Sequence, residues 1–260
     1  MPPILSEMPK TVLQQILTEC EYPEIQSLGK VCHNLRDFID DFKPNYQLRR
    51  IEIEVRGNEV IFELYTNTKT TRHLRFFYRK TDHGCSITSD KFVKEKETLV
   101  RNEDFMTIFF GDLAHIMTNQ KACLESFHLG FRYYGDRLYE DMEHNSFRML
   151  QWFKETLQSR TRPIMIESFS MEVINQEQIM QVLPFVDSKE LRRICFQHSN
   201  HTGGRTEILE LDQIVQLDQW KSAKKLAIWS FFVSEDLKHF KHFESRDVGH
   251  TQYIRNFGLI

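Results

Sequence analysis

The sequence predicts an α+β chain with a short helical N-terminal part, a small antiparallel sheet and an irregular β/α repeat domain. Three observations lead to this prediction. Apolar residues recur at helical spacing over residues 4–42, and they alternate with polar residues from Tyr46 onward. Four later segments share one strand-like pattern and are interleaved with helix-like stretches. The three predicted parts are residues 1–45, 46–100 and 101–260.

The first part is predicted to form two short helices. Pro9 suits the opening turn of a helix, where a missing N–H is tolerated. The apolar stripe of the first helix consists of Val12, Leu13, Ile16 and Leu17. The stripe of the second consists of Leu28, Val31, Cys32, Leu35, Phe38 and Ile39. Because helices this short are marginal in water, the pair either packs on the rest of the chain or docks a second protein.

These residues also stand in a familiar order. The order is Leu5, the Met8-Pro9 pair, Ile16-Leu17, Ser-Leu-x-x-Val-Cys from residue 27, and Leu35-Arg36. On these residues the segment resembles the F-box, apart from Lys10, where that family has an acidic residue. The resemblance implies binding to a Skp-type adaptor, and through it to a cullin and a RING ligase. The residues that it places at the adaptor are Leu5, Pro9, Val12, Ile16, Leu17, Leu28, Val31 and Cys32. The alternative is an ordinary helical hairpin that packs on its own core.

The composition limits the classes of function. The chain has 260 residues and a formal net charge of -3 at pH 7, so it lacks the basic surplus typical of nucleic-acid binders. Its cysteines are odd in number and have no Cys-x-x-Cys spacing, which indicates reduced thiols. No signal peptide opens the sequence, and the longest apolar stretch, residues 106–117, is interrupted by Asp112. We therefore expect a cytoplasmic or nuclear protein that is not secreted.

A small antiparallel sheet is predicted after Pro44, which marks the end of the helical part. Gly57-Asn58 is a two-residue hairpin signal between two alternating runs. The apolar residues of these runs are Leu48, Ile51, Ile53, Val55, Val60, Phe62 and Leu64. Residues 71–80 and 85–88 are predicted to be two further strands, and residues 90–102 a loop. A helix over residues 105–119 follows, with an N-cap signal just before it.

The last part repeats one pattern, with apolar residues at its first, fourth and sixth positions. The repeats begin at Leu124, Ile166, Leu191 and Ala223. Helix candidates follow three of them, at residues 146–159, 175–183 and 212–217. Strand and helix in alternation favour an open solenoid of leucine-rich-repeat type. The spacing is irregular, however, and the asparagine of those repeats is missing, so we predict only a leucine-rich-repeat-like β/α domain.

The same region resembles the FTH domain. The residues that carry the resemblance are LESF at 124, IESFSM at 166, the run 179–194, the run 211–228 with its QWKSAK segment, and HFKHF at 239. An F-box followed by this domain resembles the nematode F-box/FTH family. The resemblance implies a substrate receptor of a Skp-cullin-F-box ubiquitin ligase, whose C-terminal domain binds a target protein.

The repeat strands predict a surface for that target. If the strands align, two outward columns form: Ser126, Ser168, Arg193 and Lys225 beside His128, Ser170, Cys195 and Ala227. We predict that the target contacts Ser126, His128, Ser168, Ser170, Arg193 and Lys225, together with His198 and His201 in the following loop. The alternative is that these are merely exposed polar positions.

Catalytic and metal-binding motifs are not found in the sequence. Cys195, His198 and His201 are the best metal candidates, but their spacing matches no established zinc pattern. His239 and His242 are interpreted as the polar face of a helix. The sequence contains no GxSxG, no Gly-rich phosphate loop and no HExxH. We expect no cofactor, no metal and no enzymatic activity.

An RNA-binding or scaffold protein is the alternative function, with an F-box that only tethers it or has decayed. Residues 132–139 interleave arginine with tyrosine, a composition that stacks on bases in single strands. Asp136, Glu140, Asp141 and Glu143 surround this run and argue against a phosphate track.

Overall fold

The computed structural model describes residue 5 and residues 8–66, 73–90, 96–132, 139–199, 207–233 and 235–249. The helices in this part of the chain are α1 (Lys10–Glu19), α2 (Tyr22–Gly29), α3 (His33–Phe42), α4 (Phe105–Asn119), α5 (Tyr139–Gln158), α6 (Gln176–Met180) and α7 (Asp218–Ser222). The strands are β1 (Leu48–Val55), β2 (Glu59–Thr66), β3 (His73–Thr81), β4 (Gly84–Asp90), β5 (Lys96–Arg101), β6 (Leu124–Phe131), β7 (Ile166–Val173), β8 (Arg193–His198), β9 (Glu207–Leu209), β10 (Lys225–Trp229), β11 (Phe231–Val233) and β12 (Ser245–Gly249). Short 3-10 turns lie at Leu183–Phe185, Ile214–Gln216 and Leu237–Phe240.

One ten-stranded sheet dominates the molecule, in the order β12-β10-β8-β7-β6-β1-β2-β3-β4-β5. The strands from β12 to β1 are parallel, whereas those from β1 to β5 are antiparallel. β1 joins the two halves because β2 pairs with one of its edges and β6 with the other. The prediction of a separate small antiparallel sheet is therefore not confirmed. The predicted strands do pair antiparallel with one another. The other edge of β1 would have unpaired N–H and C=O groups, and β6 supplies their hydrogen-bond partners, so the sheet continues past β1.

Two local predictions in the antiparallel half have different outcomes. The hairpin at Gly57-Asn58 is confirmed, since Val55 and Val60 face each other across β1 and β2. The loop predicted at residues 90–102 is wrong in part, because residues 96–101 form β5 at the edge of the sheet. Its sequence, KETLVR, is mostly polar because an edge strand covers little core, so it gives a weak strand signal.

The four repeats become the parallel strands β6, β7, β8 and β10, which lie side by side. The connecting helices differ greatly in length: α5 has twenty residues, whereas α6 and α7 have five each. The leucine-rich-repeat-like description is not confirmed, because these connections do not form one repeated unit. The strands also continue into an antiparallel half that such a repeat does not contain.

The second helix predicted from residues 28–39 is in fact two helices. α2 ends at Gly29, and Cys32 is extended, with φ -158°, immediately before α3. Val31 lies in the turn between them, and its N–H bonds the carbonyl oxygen of Leu28. The spacing of apolar residues continues across this turn, which is why the sequence predicts a single helix.

The helices pack on one face of the sheet. Phe109 of α4 contacts Phe62 and Tyr78 edge to face, with ring centres 5.3 and 5.4 Å apart. Phe153 of α5 contacts Phe127 in the same manner, at 5.8 Å. α4 itself is confirmed as predicted, and its N-cap is Asp104, whose carboxylate accepts the N–H of Thr107 at 3.0 Å. Side chains alternate across a strand, so residues at the alternate positions of these strands, such as Arg50, Ser126 and Ser168, point to the opposite side of the sheet, which we call the open face.

Candidate functional site

The F-box-like helices present apolar residues on two sides of α1. Leu13 and Leu17 are buried. Pro9 is exposed, Ile16 is half-buried and Val12 is 37% exposed, although all three are apolar. Positions 9, 12 and 16 follow one another at helical spacing. α1 therefore has an inner stripe that is buried in this chain and an outer stripe that stays partly exposed.

The turn after α2 extends the set of accessible apolar residues. Val31 is 67% exposed, while Leu5, Leu28 and Cys32 are half-buried. Leu17, in contrast, is 3% exposed and belongs to the main core. A side chain in that position holds α1 on the rest of the chain, so we remove Leu17 from the predicted adaptor surface.

The segment between α3 and β1 fixes these helices to the sheet. Tyr46 is fully buried, stacks edge to face on Tyr22 at 4.9 Å, and donates its N–H to the Asn119 carbonyl oxygen at 3.1 Å. The side-chain amide of Gln120 bonds both the N–H and the carbonyl oxygen of Leu48, each at 3.0 Å. These contacts place the helical part and the end of α4 in one packed unit, joined without a free linker.

The open face of the parallel half carries three rows of side chains that run across the strands. The basic row consists of Arg50, Ser126, Ser168, Arg193 and Lys225. The middle row consists of Glu52, His128, Ser170, Cys195, Ala227 and Asp247. The acidic row contains Glu54, Glu172, Gln197 and Trp229. The two columns predicted from the repeats are thus brought together in register, and the target-binding role of their residues stays a prediction.

The side chains at the centre of the middle row, from His128 to Ala227, are buried or half-buried. The Nδ1 atom of His128 lies 3.1 Å from the Ser170 hydroxyl. Burial lowers the pKa of His128, and the nearby Arg132 lowers it further, so the ring is neutral near pH 7. Burial also raises the pKa of the Cys195 thiol. Neither group is therefore a strong nucleophile or a charged contact for a partner.

The acidic row contains a buried carboxylate that sequence reasoning missed. Glu172 is 2% exposed, and its Oε1 atom lies 3.0 Å from an Nη2 of Arg132. Its Oε2 atom accepts no hydrogen bond from any residue that the structure describes. Burial raises the pKa of Glu172 to about 7, although Arg132 opposes the shift. The only signal in the sequence is a glutamate between the apolar Met171 and Val173, within a strand.

The predicted loop histidines do not form a site with Cys195. His198 is buried on the helix-covered side, where its ring contacts Phe231 at 4.9 Å and Nε2 lies 3.3 Å from Glu207. Cys195 points to the open face, so the two side chains diverge. His201 lies outside the described residues. Within the described ranges, no group of three or more His, Cys, Asp or Glu residues could hold a metal ion.

Two other motifs have structural roles. Trp220, from the QWKSAK segment, is buried between Phe240 and Phe243, with ring centres 5.5 and 5.0 Å away. Its Nε1–H donates to the His239 carbonyl oxygen at 3.0 Å, and the Nε2 atom of His242 lies 2.8 Å from the Trp220 carbonyl oxygen. The HFKHF run therefore surrounds the Trp220 side chain with two phenylalanine rings and accepts its hydrogen bond.

The arginine–tyrosine run is described only at its two ends. The guanidinium of Arg132 lies 3.0 Å from the buried carboxyl group of Glu172. Residues 133–138 lie outside the described part. No helix in the described ranges is long and apolar enough to cross a membrane.

Comparison with known proteins identifies two domains. The F-box domain matches residues 5–47, and the FTH domain matches residues 147–257. F-box A protein 224 of Caenorhabditis elegans is 25% identical to this chain over 258 residues, which cover 96% of the chain and 60% of that relative. No solved structure matches. The arrangement predicted from the sequence, an F-box followed by an FTH domain, is confirmed.

Proposed function

We propose that this chain, with an F-box followed by an FTH domain, is the substrate receptor of a Skp-cullin-F-box ubiquitin ligase. In this proposal the F-box binds a Skp-type adaptor, and the C-terminal domain binds a target protein. The observation that carries it is the coincidence of the F-box match with the outer apolar stripe of α1 and the exposed Val31. Large apolar side chains exposed within such a motif favour a protein partner over solvent.

The proposed adaptor surface comprises Leu5, Pro9, Val12, Ile16, Leu28, Val31 and Cys32. Val12 and Val31 are the large apolar residues with the highest exposure among the described residues of the F-box. Burying them against a partner removes apolar surface from water. A fully exposed side chain of this kind gains about 1.5–3 kcal/mol on complete burial, so Val31 and Val12, which are 67% and 37% exposed, would each contribute part of that. Polar substitutions there should weaken the complex and leave the fold intact.

The proposed mechanism is proximity. A target held on the C-terminal domain would be kept at a defined distance from the adaptor, because Tyr46 and Gln120 fix the F-box to the sheet. Holding two reactants together raises their effective concentration without any reacting group from the receptor. The target surface that we propose is the open face. The division into residues 1–45, 46–100 and 101–260 remains part of the proposal.

Co-purification of the full chain with a Skp-type adaptor tests this function. We expect a stoichiometric complex for the wild type and at least a tenfold loss, about 1.4 kcal/mol, for Val12→Asp with Val31→Asp, because charges would be buried unpaired. Phe147→Asp is the matched control, since Phe147 is 65% exposed and lies far along the chain in α5. A folded wild type that does not bind, or equal losses in the variant and the control, would contradict the proposal.

A further inference from the structure

We propose that the basic row of the open face binds an acidic segment of the target protein, an inference that rests on the proposed receptor function. The row presents Arg193 and Lys225 side by side on β8 and β10, with Ser168 and Ser126 next to them and Arg50 at the far end. Arg50, Arg193 and Lys225 are all exposed. The ligand would carry carboxylate or phosphate groups.

Backbone hydrogen bonds fix the strand starts that carry Arg193 and Lys225. The N–H groups of Lys224 and Lys225 both donate to the Arg192 carbonyl oxygen, at 2.8 and 2.9 Å. Arg192 in turn donates its N–H to the Glu167 carbonyl oxygen at 2.8 Å. Each strand therefore enters the sheet through a turn bonded to its neighbour. Only the side chains of the row remain to be ordered when a ligand binds, which lowers the entropy lost on binding.

Like charges are adjacent at this point of the sheet. Arg193 and Lys225 are direct partners in the pairing of β8 with β10. Like charges opposite each other destabilise a sheet, and among the described residues no carboxylate lies within the 4.0 Å ion-pair distance of either side chain. An anion placed between them would relieve this repulsion. The fold thus leaves a local positive charge that a ligand can neutralise.

The arginines near the acidic row differ from those of the basic row, because they lie beside carboxyl groups of this chain. Arg132 lies 3.0 Å from Glu172 and 4.0 Å from Glu54, and Arg56 lies 2.8 Å from Glu54. These arginines lie within ion-pair distance of carboxyl groups of the same chain. The carboxylates Glu52 and Asp247 belong to the middle row, two residues further along β1 and β12, and stand at its two ends. The contrast favours a ligand for the basic row rather than an internal role.

The row also sets the spacing of negative groups in the ligand. Arg50 lies three strands from Arg193, which corresponds to about 14 Å at about 4.8 Å per strand. An extended peptide advances about 3.3 Å per residue, so acidic groups about four residues apart would reach both cations. The serines between them, Ser126 and Ser168, would offer hydroxyl donors to the backbone or to a third acidic group.

Fluorescence anisotropy with short labelled peptides tests the inference on the full chain. The probes are a peptide with two glutamates about four residues apart, its phosphoserine version, and its glutamine version. We expect saturable binding of an acidic probe, little binding of the glutamine probe, and about tenfold weaker binding to Lys225→Glu. This variant should fold, because it places an opposite charge beside Arg193. Tighter binding of the glutamate peptide would identify carboxylates as the ligand groups, and tighter binding of the phosphoserine peptide would identify phosphates.

Arg192→Glu with Lys224→Glu is the matched control, because these exposed cations lie one residue before the row, immediately ahead of β8 and β10. The control should bind the acidic probe more tightly than the double reversal Arg193→Glu with Lys225→Glu, which has the same net charge. Equal losses in the two, or equal binding of acidic and glutamine probes, would overturn the proposal. The proposal would also be overturned if single-stranded RNA bound more tightly than the acidic peptides and if Lys225→Glu abolished that RNA binding. Lys225→Glu should retain the adaptor, so failure of this inference is distinguishable from failure of the receptor function.

Discussion

At the scale of single residues, Glu172 introduces an ionisable carboxyl group into a nearly closed environment. Its pKa is raised from 4.5 to about 7, first because burial disfavours the charged form. Below about pH 4.5 the carboxyl is protonated in both the folded and the unfolded chain. Between the two pKa values only the folded chain retains the proton, so its stability decreases as pH rises and levels off above about pH 7.

Glu172→Gln should therefore reduce the pH dependence of stability. A neutral amide has no proton to lose, so we expect the wild type to lose on the order of 1–3 kcal/mol more than the variant between about pH 5 and about pH 8. Urea unfolding at the two pH values measures this difference. Glu167→Gln, at an exposed position at the start of the same strand, should leave the wild-type pH dependence unchanged. Parallel pH profiles for wild type and Glu172→Gln would contradict the assignment.

Residue roles were predictable from the sequence where they depend on spacing along one strand. The columns through Ser126 and His128 follow from the repeated pattern, because parallel strands in register place equal positions side by side. The burial of Leu17 was not predictable, since both sides of α1 are apolar and spacing alone does not say which side meets the core. The Glu172–Arg132 pair joins two strands, and no local pattern contains it.

At the scale of elements, α7 anchors the C-terminal end of the sheet through one tryptophan. Trp220 fills the space between Phe240 and Phe243 and also donates a hydrogen bond to a backbone carbonyl oxygen. The 3-10 turn Leu237–Phe240 is too short to persist without this contact. The connection between β10 and β12 therefore depends on side-chain packing more than on its own helical structure.

Trp220→Ala should destabilise the chain by about 3–5 kcal/mol, because it leaves a cavity and an unpaired carbonyl oxygen. Trp229→Ala is the control, since Trp229 is exposed on the open face. We expect the control to stay within about 1 kcal/mol of the wild type in thermal or urea unfolding. Similar effects of the two substitutions would show that Trp220 does not anchor this region.

Elements could be predicted where their apolar pattern is long. α4 was predictable because it combines a 15-residue apolar pattern with the Asp104 cap. β5 was not, because an edge strand has few buried positions and most of its residues are polar or charged. The break between α2 and α3 was not predictable for a different reason. The apolar spacing continues unchanged across the turn that contains Val31.

At the scale of the whole molecule, the continuity of the sheet determines how the two proposed surfaces relate. The sequence predicts the antiparallel and the repeat strands separately, and nothing in either pattern shows that β1 pairs with β6, more than seventy positions away. Long-range pairing depends on which edges remain open after local hairpins form. The result is one continuous sheet with helices on one side and the basic row on the other.

This arrangement separates the proposed adaptor surface from the proposed target surface. The F-box is attached through Tyr46 and Gln120 to the end of α4, on the helix-covered side of the sheet. The basic row lies on the open face. Adaptor and target should therefore bind at the same time, without competing for residues.

Hydrogen exchange of the full chain, with and without a Skp-type adaptor, tests this separation and the receptor function in one measurement. We predict that the adaptor slows exchange in α1, in α2 and in the turn at Val31, because these backbone groups lie at the proposed interface. Strands β7, β8 and β10 should exchange at unchanged rates. Slower exchange confined to the sheet, or no change in the F-box at saturating adaptor, would contradict the account.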